Sequence, residues 1–262
     1  MTTDQAVREA RIRKVAERHF RERTVGRLEQ NTTGIMHWNY RIEFADGGKA
    51  FYRSYRSEGP AAHGTDNFFG DPISLERELA VMKLLRRTAV PVPEVYAFEE
   101  DDVLGQYALL SHVEGVHFRQ YLAAHGHKLD VFFDALRKIG RTLASTRQVT
   151  FPQFGSIQPE GLGGARPNWA DRLADILLRH EANPHVRSHF TKTDWSKLRA
   201  YIETKLDLAR AHVIAAAPQL VIYDLHVRNF NVWEDGERAG DISGAFDVEF
   251  ALSLLSSLSD DS

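Results

Sequence analysis

The sequence predicts an α+β fold in which a sheet-forming part is followed by a mainly helical part. Up to about residue 110, short segments of alternating apolar and polar residues end at glycine, proline or acidic turns, a pattern typical of antiparallel strands. From residue 118 onward the apolar residues recur at helical spacing instead. Near the C-terminal end, two polar motifs each follow a short apolar strand. These observations together predict a sheet, then helices, then a loop-borne functional site.

The composition is that of a globular protein and excludes several functional classes. The 262 residues, 43% hydrophobic and 26% charged, suffice for either one large domain or two lobes. A net charge of -3 provides no basic surface for a polyanion, so nucleic acid is not expected as a partner. The absence of cysteine excludes disulfides, thiolate metal sites and a cysteine nucleophile. No signal peptide or run of about 20 apolar residues is found, so we expect a cytoplasmic protein without a membrane partner.

The first hairpin is predicted from strict alternation. One face of its first strand is apolar (Trp38, Tyr40, Ile42, Phe44) and the other is polar (His37, Asn39, Arg41, Glu43). Asp46-Gly47-Gly48 forms the turn, and residues 49–55 return as the second strand. The turn before the hairpin contains Gly34, which alone indicates an ordinary turn as readily as a phosphate-binding loop.

A helix predicted over 75–87 carries a carboxylate on its apolar side. At about 100° per residue, Glu78 falls within the arc of the apolar residues, whereas Glu76 points away. A carboxylate on a buried face needs a partner, and we expect Arg53 on the preceding strand to provide it. The alternative is that Arg53 is a solvated strand residue and Glu78 a charge at the helix edge.

The middle of the chain is predicted to be helical. We expect helices over 118–125, 129–147, 169–180 and 195–216, with 151–167 as a loop because it is rich in glycine and proline. Several histidines lie in this region, but no His-Glu-x-x-His or similar spacing occurs, so a histidine metal site is not supported.

The stretch from 220 to 250 has the layout of a phosphoryl-transfer site. An apolar run ends at Asp224, Asn229 follows five positions later, and Asp247 comes after a second strand and a tight turn. This chemistry requires a carboxylate that accepts the proton of the attacking hydroxyl and oxygen ligands that hold Mg²⁺ against a triphosphate. We therefore expect Asp224 to be the proton acceptor and Asn229 and Asp247 to be the metal ligands.

These motifs resemble those of the aminoglycoside phosphotransferase family, which are small-molecule kinases. Residues 224–229 are similar to the catalytic loop of that family and residues 244–251 to its metal-binding segment. The resemblance extends from about Gly34 to Ala251. It implies a bilobal protein-kinase-like fold, with an antiparallel-sheet N-lobe over 1–110 and a hinge and mainly helical C-lobe over 111–262.

The resemblance also implies an activity and a nucleotide site. The implied reaction is ATP- and Mg²⁺-dependent transfer of the γ-phosphate to a hydroxyl of a small molecule, either aminoglycoside-like or another amino or hydroxy compound. ATP could be replaced by another nucleoside triphosphate, and the oligomeric state is not predicted. Gly34 would cover the phosphates, Arg53 oriented by Glu78 would contact them, and backbone groups of Ser111 and Val113 would contact the base.

The chain departs from the family pattern in two places. Ile222-Tyr223 precedes Asp224 where the family usually has His-Gly, and the sequence ends at Ser262 where family members commonly continue with several helices, so a shortened C-lobe is expected. Both departures leave open a catalytically silent nucleotide- or ligand-binding protein of the same fold. A hydrolase that uses Asp224, His226 and Asp247 is a further alternative, although no Gly-x-Ser-x-Gly motif supports it.

Overall fold

Three antiparallel sheets and seven helices make up the part of the chain that the computed structural model describes, residues 3–31, 37–56, 73–211, 217–223, 226–248 and 251–254. The strands are β1 (Val25–Asn31), β2 (His37–Phe44), β3 (Lys49–Tyr55), β4 (Val95–Asp101), β5 (Gly105–Ser111), β6 (Val116–His117), β7 (Phe154–Gln158), β8 (Gly161–Arg166), β9 (Gln219–Ile222), β10 (Phe230–Val232), β11 (Ile242–Ala245) and β12 (Ala251–Leu254). The helices are α1 (Thr3–His19), α2 (Leu75–Leu85), α3 (Phe118–His125), α4 (Leu129–Ala144), α5 (Trp169–Ala182), α6 (Pro184–Ser188) and α7 (Lys192–Ala211).

The first sheet has five strands in the order β1-β2-β3-β5-β4. Its β2–β3 hairpin forms as predicted, with His37 opposite Tyr55 and Asn39 opposite Arg53, and Gly47 adopts a φ of +83° in the turn. The apolar face of the hairpin packs against α1, where Ile12, Tyr40 and Ile42 are fully buried. The predicted alternation of β2 is therefore confirmed.

The opposite face of the same sheet is also covered. His37 and Asn39, on the polar side of β2, have exposed fractions of only 4% and 7%. Arg53 on β3 is buried next to them, since it lies on the same side of the sheet. At His37, Asn39 and Arg53 the polar side of the hairpin thus faces the rest of the protein and not solvent.

Helix α2 packs against this second face. It begins after Ser74, whose Oγ accepts a hydrogen bond of 3.1 Å from the amide of Arg77 and so caps the first turn. Its buried side includes Leu75, Val81 and Met82 together with Glu78, while Glu76 is exposed. The predicted placement of the two glutamates on the helix is confirmed.

The second sheet positions the polar motifs near the C-terminal end. Its three strands lie in the order β11-β10-β6 and pack on α3, where Phe118 stacks against Phe230 with ring centroids 5.1 Å apart. Because β10 and β11 form a hairpin, the residues before β10 and after β11 meet at one end of it. This hairpin places the candidate metal ligands together.

The third sheet, with strand order β8-β7-β12-β9, corrects one sequence prediction. Residues 151–167 were expected to be a loop, yet they contain the β7–β8 hairpin. The glycines that indicated a loop allow close strand packing instead, because a Cβ on Gly155 would lie 2.8 Å from the carbonyl oxygen of Gly163. Strand β12 then pairs with both β7 and β9.

The remaining helices follow the predicted pattern with shifted ends. The helix expected over 129–147 is α-helical through Ala144 and continues as a 3-10 turn over Ser145–Gln148. The helix expected over 195–216 begins earlier, at Lys192, and is described through Ala211. Across the described ranges, every helix is too short or too polar to cross a membrane.

Candidate active site

Asn229 and Asp247 are brought together by the β10–β11 hairpin. Phe230 pairs with Ala245, and the carbonyl of Asn229 accepts a 2.9 Å hydrogen bond from the amide of Phe246, so Asn229 lies beside the loop that carries Asp247. Asn229 is 4% exposed. Asp247 has a φ of +54°, a left-handed conformation that is uncommon for a residue other than glycine and is often found at functional sites.

Arg53 links three segments of the chain at this point. Its Nε lies 2.8 Å from Oε2 of Glu78 on α2, and its Nη2 contacts Oδ1 of Asp247 after β11. The amide of Asp247 also donates a 3.3 Å hydrogen bond to Oε1 of Glu78. The ion pair expected between Arg53 and Glu78 is therefore present, and the structure adds Asp247 to it.

The three groups differ in how far solvent reaches them. Arg53 is 2% exposed and Glu78 is fully buried, whereas the side chain of Asp247 keeps 36% of its surface exposed. Arg53 and Glu78 thus form the interior of the cluster, and Asp247 forms its solvent-facing edge. A ligand that arrives from solvent would meet Asp247 first.

Burial and charge shift the pKa values of this cluster in opposite directions. Burial raises the pKa of Glu78 to about 7, and the neighbouring Asp247 carboxylate adds to the effect while Arg53 opposes it. Burial alone would raise the pKa of Asp247, but the guanidinium of Arg53 outweighs it and lowers that pKa.

His37 is a member of the cluster that the sequence did not indicate. Nη2 of Arg53 lies 3.1 Å from Nδ1 and 3.3 Å from Nε2 of the imidazole, and Oδ1 of Asp247 lies 3.9 Å from Nδ1. Burial, followed by the charge of Arg53, holds the pKa of His37 well below its ordinary value. The ring is therefore neutral, and it contacts the guanidinium without a charge of its own.

The linker after β5 runs along the same hairpin. Val113 lies against Gly244, since a Cβ added to Gly244 would come within 2.4 Å of Cγ1 of Val113. In addition, Ser243 Oγ donates a 2.6 Å hydrogen bond to the carbonyl of Glu114. The amide N–H of Ser111 donates a 2.8 Å hydrogen bond to the carbonyl of Glu94, so this N–H already has a partner in the protein. The resemblance implied a base contact through backbone groups of Ser111, and one through its amide would have to displace the carbonyl of Glu94.

Two of the predicted site residues, Asp224 and Gly34, lie outside the described residues. Of the others, the structure brings Arg53, Glu78, Asp247 and Asn229 to one place and puts Val113 against the neighbouring strand. The catalytic, metal-binding and nucleotide-binding roles of these residues stay predictions.

Three buried polar atoms near the cluster lack a protein partner within the part of the chain that the structure describes. Asn39 Oδ1 and Asn231 Oδ1 are buried and have no hydrogen-bond partner among the described residues, and the same holds for Nδ1 of His117, which lies opposite Asn231. Asn39 lies opposite Arg53, and Asn231 is two positions after Asn229. An unsatisfied buried polar atom costs about 1–3 kcal/mol, which a ligand donor that reaches it would recover.

The candidate metal ligands fit Mg²⁺ in their chemistry. An amide oxygen from Asn229 and a carboxylate from Asp247 are hard oxygen ligands, and protein sites for Mg²⁺ typically supply few such groups alongside water and phosphate. In the described ranges, no three or more histidine, aspartate or glutamate side chains gather as a metal-binding group. A larger protein-only metal cage is therefore not formed by these residues.

Comparison with protein families decides the class of the chain. The family model described as the phosphotransferase enzyme family matches residues 39–252, well over half of the sequence. The chain belongs to the phosphotransferase enzyme family. The family predicted from the motifs is thereby confirmed, and so is the enzyme class, a small-molecule kinase. No curated protein matches the sequence.

Solved structures show that this phosphotransferase has the predicted protein-kinase-like fold. A thermostable mutant of aminoglycoside phosphotransferase APH(4)-Ia, in a complex with ADP and hygromycin B, has a TM-score of 0.59 and 17% identity over 92% of this chain and 72% of that one. A candidate fructosamine-3-kinase from Thermobifida fusca has a TM-score of 0.57 and 19% identity, with 92% and 74% covered. The GDP complex of a mutant aminoglycoside 2′-phosphotransferase-IIIa has a TM-score of 0.54 and 15% identity, with 92% and 72% covered.

Proposed function

We propose that the protein transfers the γ-phosphate of ATP, or of another nucleoside triphosphate, to a hydroxyl of a small molecule in a Mg²⁺-dependent reaction. The observation that carries this proposal is the meeting of Arg53, Glu78 and Asp247, which places a buried cation beside a candidate metal ligand. Transfer of a phosphoryl group depends mainly on positioning and on neutralising charge, and this arrangement provides both.

Each residue has a separate task in the proposed reaction. Asp224 orients the acceptor hydroxyl and takes its proton, while the hydroxyl oxygen forms a bond to the γ-phosphorus and the bond to the bridging oxygen of the nucleoside diphosphate breaks. Asn229 and Asp247 would hold Mg²⁺, which supplies neutralisation of the phosphate charge when bound. Arg53 contacts the phosphates.

Glu78 keeps Arg53 in place during this process. Nε of Arg53 lies 2.8 Å from Oε2 of Glu78, whereas Nη2 is the atom in contact with Asp247. We infer that a phosphate oxygen takes the place of Asp247 at Nη2, which frees the Asp247 carboxylate for the metal. Glu78 retains its contact, so the guanidinium changes partner without losing its anchor.

The acceptor is proposed from chemistry and from the related structures. APH(4)-Ia binds hygromycin B and the Thermobifida fusca protein is named for fructosamine, so both point to amino- and hydroxyl-bearing compounds. An aminoglycoside-like or other amino or hydroxy compound is accordingly the acceptor class that we propose. The lobe boundary near residue 110 and the cytoplasmic location stay predictions.

The first test is thermal unfolding of the purified chain with and without Mg·ATP. A ligand that binds only the folded state raises the unfolding midpoint, so we expect an increase that requires Mg²⁺ and is lost in Asp247→Asn. Release of nucleoside diphosphate is then measured with a panel of amino and hydroxy compounds. An unchanged midpoint for a cooperatively unfolding protein would contradict the nucleotide site.

One observation keeps a second candidate function in view. The direct contact of Arg53 with Asp247 occupies the carboxylate that would bind the metal. If that contact persists when nucleotide binds, the protein is a catalytically silent nucleotide-binding protein of the same fold. Nucleotide-dependent stabilisation without Mg²⁺ dependence and without phosphoryl transfer would favour this second candidate.

A further inference from the structure

His37 occupies a position that allows it to control the orientation of Arg53. Asn39 is the direct cross-strand neighbour of Arg53, and Tyr55 is that of His37. His37 is therefore the diagonal neighbour of Arg53 on the same face of the sheet. The imidazole is 4% exposed, and the ring of Tyr55 packs against it with centroids 4.2 Å apart. Burial and the contact with Tyr55 thus restrict the orientation of the imidazole independently of Arg53.

The two distances from Arg53 to this ring define the kind of contact. Nη2 is nearly equidistant from Nδ1, at 3.1 Å, and from Nε2, at 3.3 Å. An atom in the plane of the imidazole cannot be so close to both nitrogens without colliding with the carbon between them. The guanidinium nitrogen therefore lies over the face of the ring, and the contact is of the cation–π kind and not an in-plane hydrogen bond.

This contact gives a reason for arginine at position 53. A guanidinium has separate nitrogens in one plane, so it can reach different partners while one nitrogen lies over an aromatic face, whereas the ammonium of lysine is a single charged nitrogen without a plane. In this chain Nε reaches Glu78 and Nη2 reaches Asp247 from above the His37 ring. Glu78 lies on α2 and Asp247 follows β11, so the guanidinium contacts both only when its plane has one particular orientation.

We propose that His37 is a positioning residue, whose ring face sets the plane of the Arg53 guanidinium so that one edge binds Glu78 and the other is presented to the phosphates. The part of this inference that concerns phosphates rests on the proposed function. The part that concerns Arg53 does not, because the contacts are those of the protein without nucleotide.

Four variants and their dissociation constants for Mg·ATP test the proposal. His37→Phe keeps a ring face without nitrogens, and we expect it to bind Mg·ATP within about twofold of the wild type. His37→Asn keeps polar atoms without a ring face, and His37→Ala keeps neither, so we expect both to bind at least about fivefold more weakly. The matched control is Trp38→Leu on the opposite face of β2, where Arg8 lies 3.8 Å from the indole centroid. We expect it to lower the unfolding midpoint but to leave nucleotide binding unchanged.

A double-mutant cycle with Arg53→Lys separates positioning from general destabilisation. If His37 acts through the guanidinium plane, His37→Ala should add little to the loss caused by Arg53→Lys, both in nucleotide affinity and in the unfolding midpoint measured without nucleotide. Additive losses would overturn the proposal, as would normal binding by His37→Asn together with weak binding by a folded His37→Phe.

The same cycle distinguishes failure of this inference from failure of the proposed function. A wild-type chain that does not bind Mg·ATP would refute the nucleotide site, and the nucleotide-free unfolding cycle would still decide whether His37 and Arg53 are coupled. Conversely, a wild-type chain that binds Mg·ATP, with no coupling in either measurement, would refute only the role of His37.

Discussion

Gly115 lies directly against the backbone of Val232. A Cβ on Gly115 would come within 2.3 Å of the carbonyl oxygen of Val232, and the glycine has a φ of +89°. The linker that follows β5 can therefore reach β10 only because residue 115 has no side chain. This contact and that of Val113 with Gly244 hold the linker on the hairpin that carries Asn229 and Asp247.

We predict that Gly115→Ala separates the linker from β10. The added methyl group meets a backbone oxygen that cannot move aside easily, and the positive φ adds strain of about 1–2 kcal/mol. A fall in stability of more than about 2 kcal/mol, measured by denaturant unfolding, is expected, together with weaker binding of Mg·ATP. Gly105→Ala is the control, because Gly105 also has a positive φ, of +66°, but a Cβ added there would meet no atom of the described residues within 4 Å. An equal loss in both variants would contradict the role assigned to the close contact.

A second prediction concerns the candidate metal-binding carboxylate of Asp247. Asp247→Asn keeps the size of the side chain and tolerates the positive φ, but it removes the charge that contacts Arg53 and is proposed to bind Mg²⁺. We expect Mg²⁺-dependent turnover to fall by at least about 100-fold in a variant that still folds. Asp235→Asn, an exposed carboxylate in the turn of the same hairpin, should leave turnover unchanged. Full turnover in Asp247→Asn would refute the assignment.

A third prediction concerns the buried amide of Asn39. Its Oδ1 lacks a partner among the described residues, so Asn39→Leu should leave the nucleotide-free protein as stable as before or up to about 2 kcal/mol more stable. A hydrogen bond from the nucleoside to this amide oxygen would be lost in the variant, which should then bind Mg·ATP about tenfold more weakly, as measured by calorimetry. Binding of Mg-tripolyphosphate, which has no nucleoside, should be unaffected. Equal losses for both ligands would place Asn39 at the phosphates instead.

The fourth prediction is a pH dependence away from the site. Burial would raise the pKa of Asp101, but hydrogen bonds from the amides of Val103 and Leu104, together with Arg11 on α1, lower it below its ordinary value of 3.8. A lowered folded-state pKa contributes stability above the unfolded-state pKa, and this contribution is lost as the pH falls through the folded-state pKa.

Asp101→Asn should therefore reduce stability by about 1 kcal/mol at pH 7, with the difference from the wild type shrinking below pH 3.8. Urea unfolding across this range measures the difference. Asp102→Asn removes the other partner of Arg11, but the side chain of Asp102 is 80% exposed, so a change below about 0.5 kcal/mol is expected. A difference between Asp101→Asn and the wild type that does not depend on pH would contradict the assigned cause.

Local patterns were sufficient to predict much of the fold. Strict alternation identified β2 and its apolar side, and helical geometry placed Glu78 on the buried side of α2. The meeting of Arg53 with Glu78 was expected because a buried carboxylate requires a partner and because residues 50–53 resemble the kinase strand that carries the phosphate-binding cation. The first two of these predictions depend on a periodicity that a single strand or helix imposes on its own residues.

Features that depend on what covers a surface were not predictable in this way. The polar side of β2 gave no sign that His37 and Asn39 are buried, since alternation distinguishes two faces without saying what packs on each. Strand β8 was missed because its glycines resemble a loop, and β12 because its short apolar segment has no turn signal before it. Tertiary pairing, and not local propensity, makes these segments strands.

Strand β12 has a mechanical consequence for the site. Ala251 pairs with Ile222, so the chain leaves the third sheet after β9 and returns to it at the neighbouring position in β12. The end of β9 leads into the predicted proton acceptor, Asp224, and the start of β12 follows the predicted metal ligand, Asp247. A displacement of Asp247 away from Arg53 would therefore also displace the segment that leads into Asp224. Activation of the acceptor and binding of the nucleotide would then be mechanically coupled.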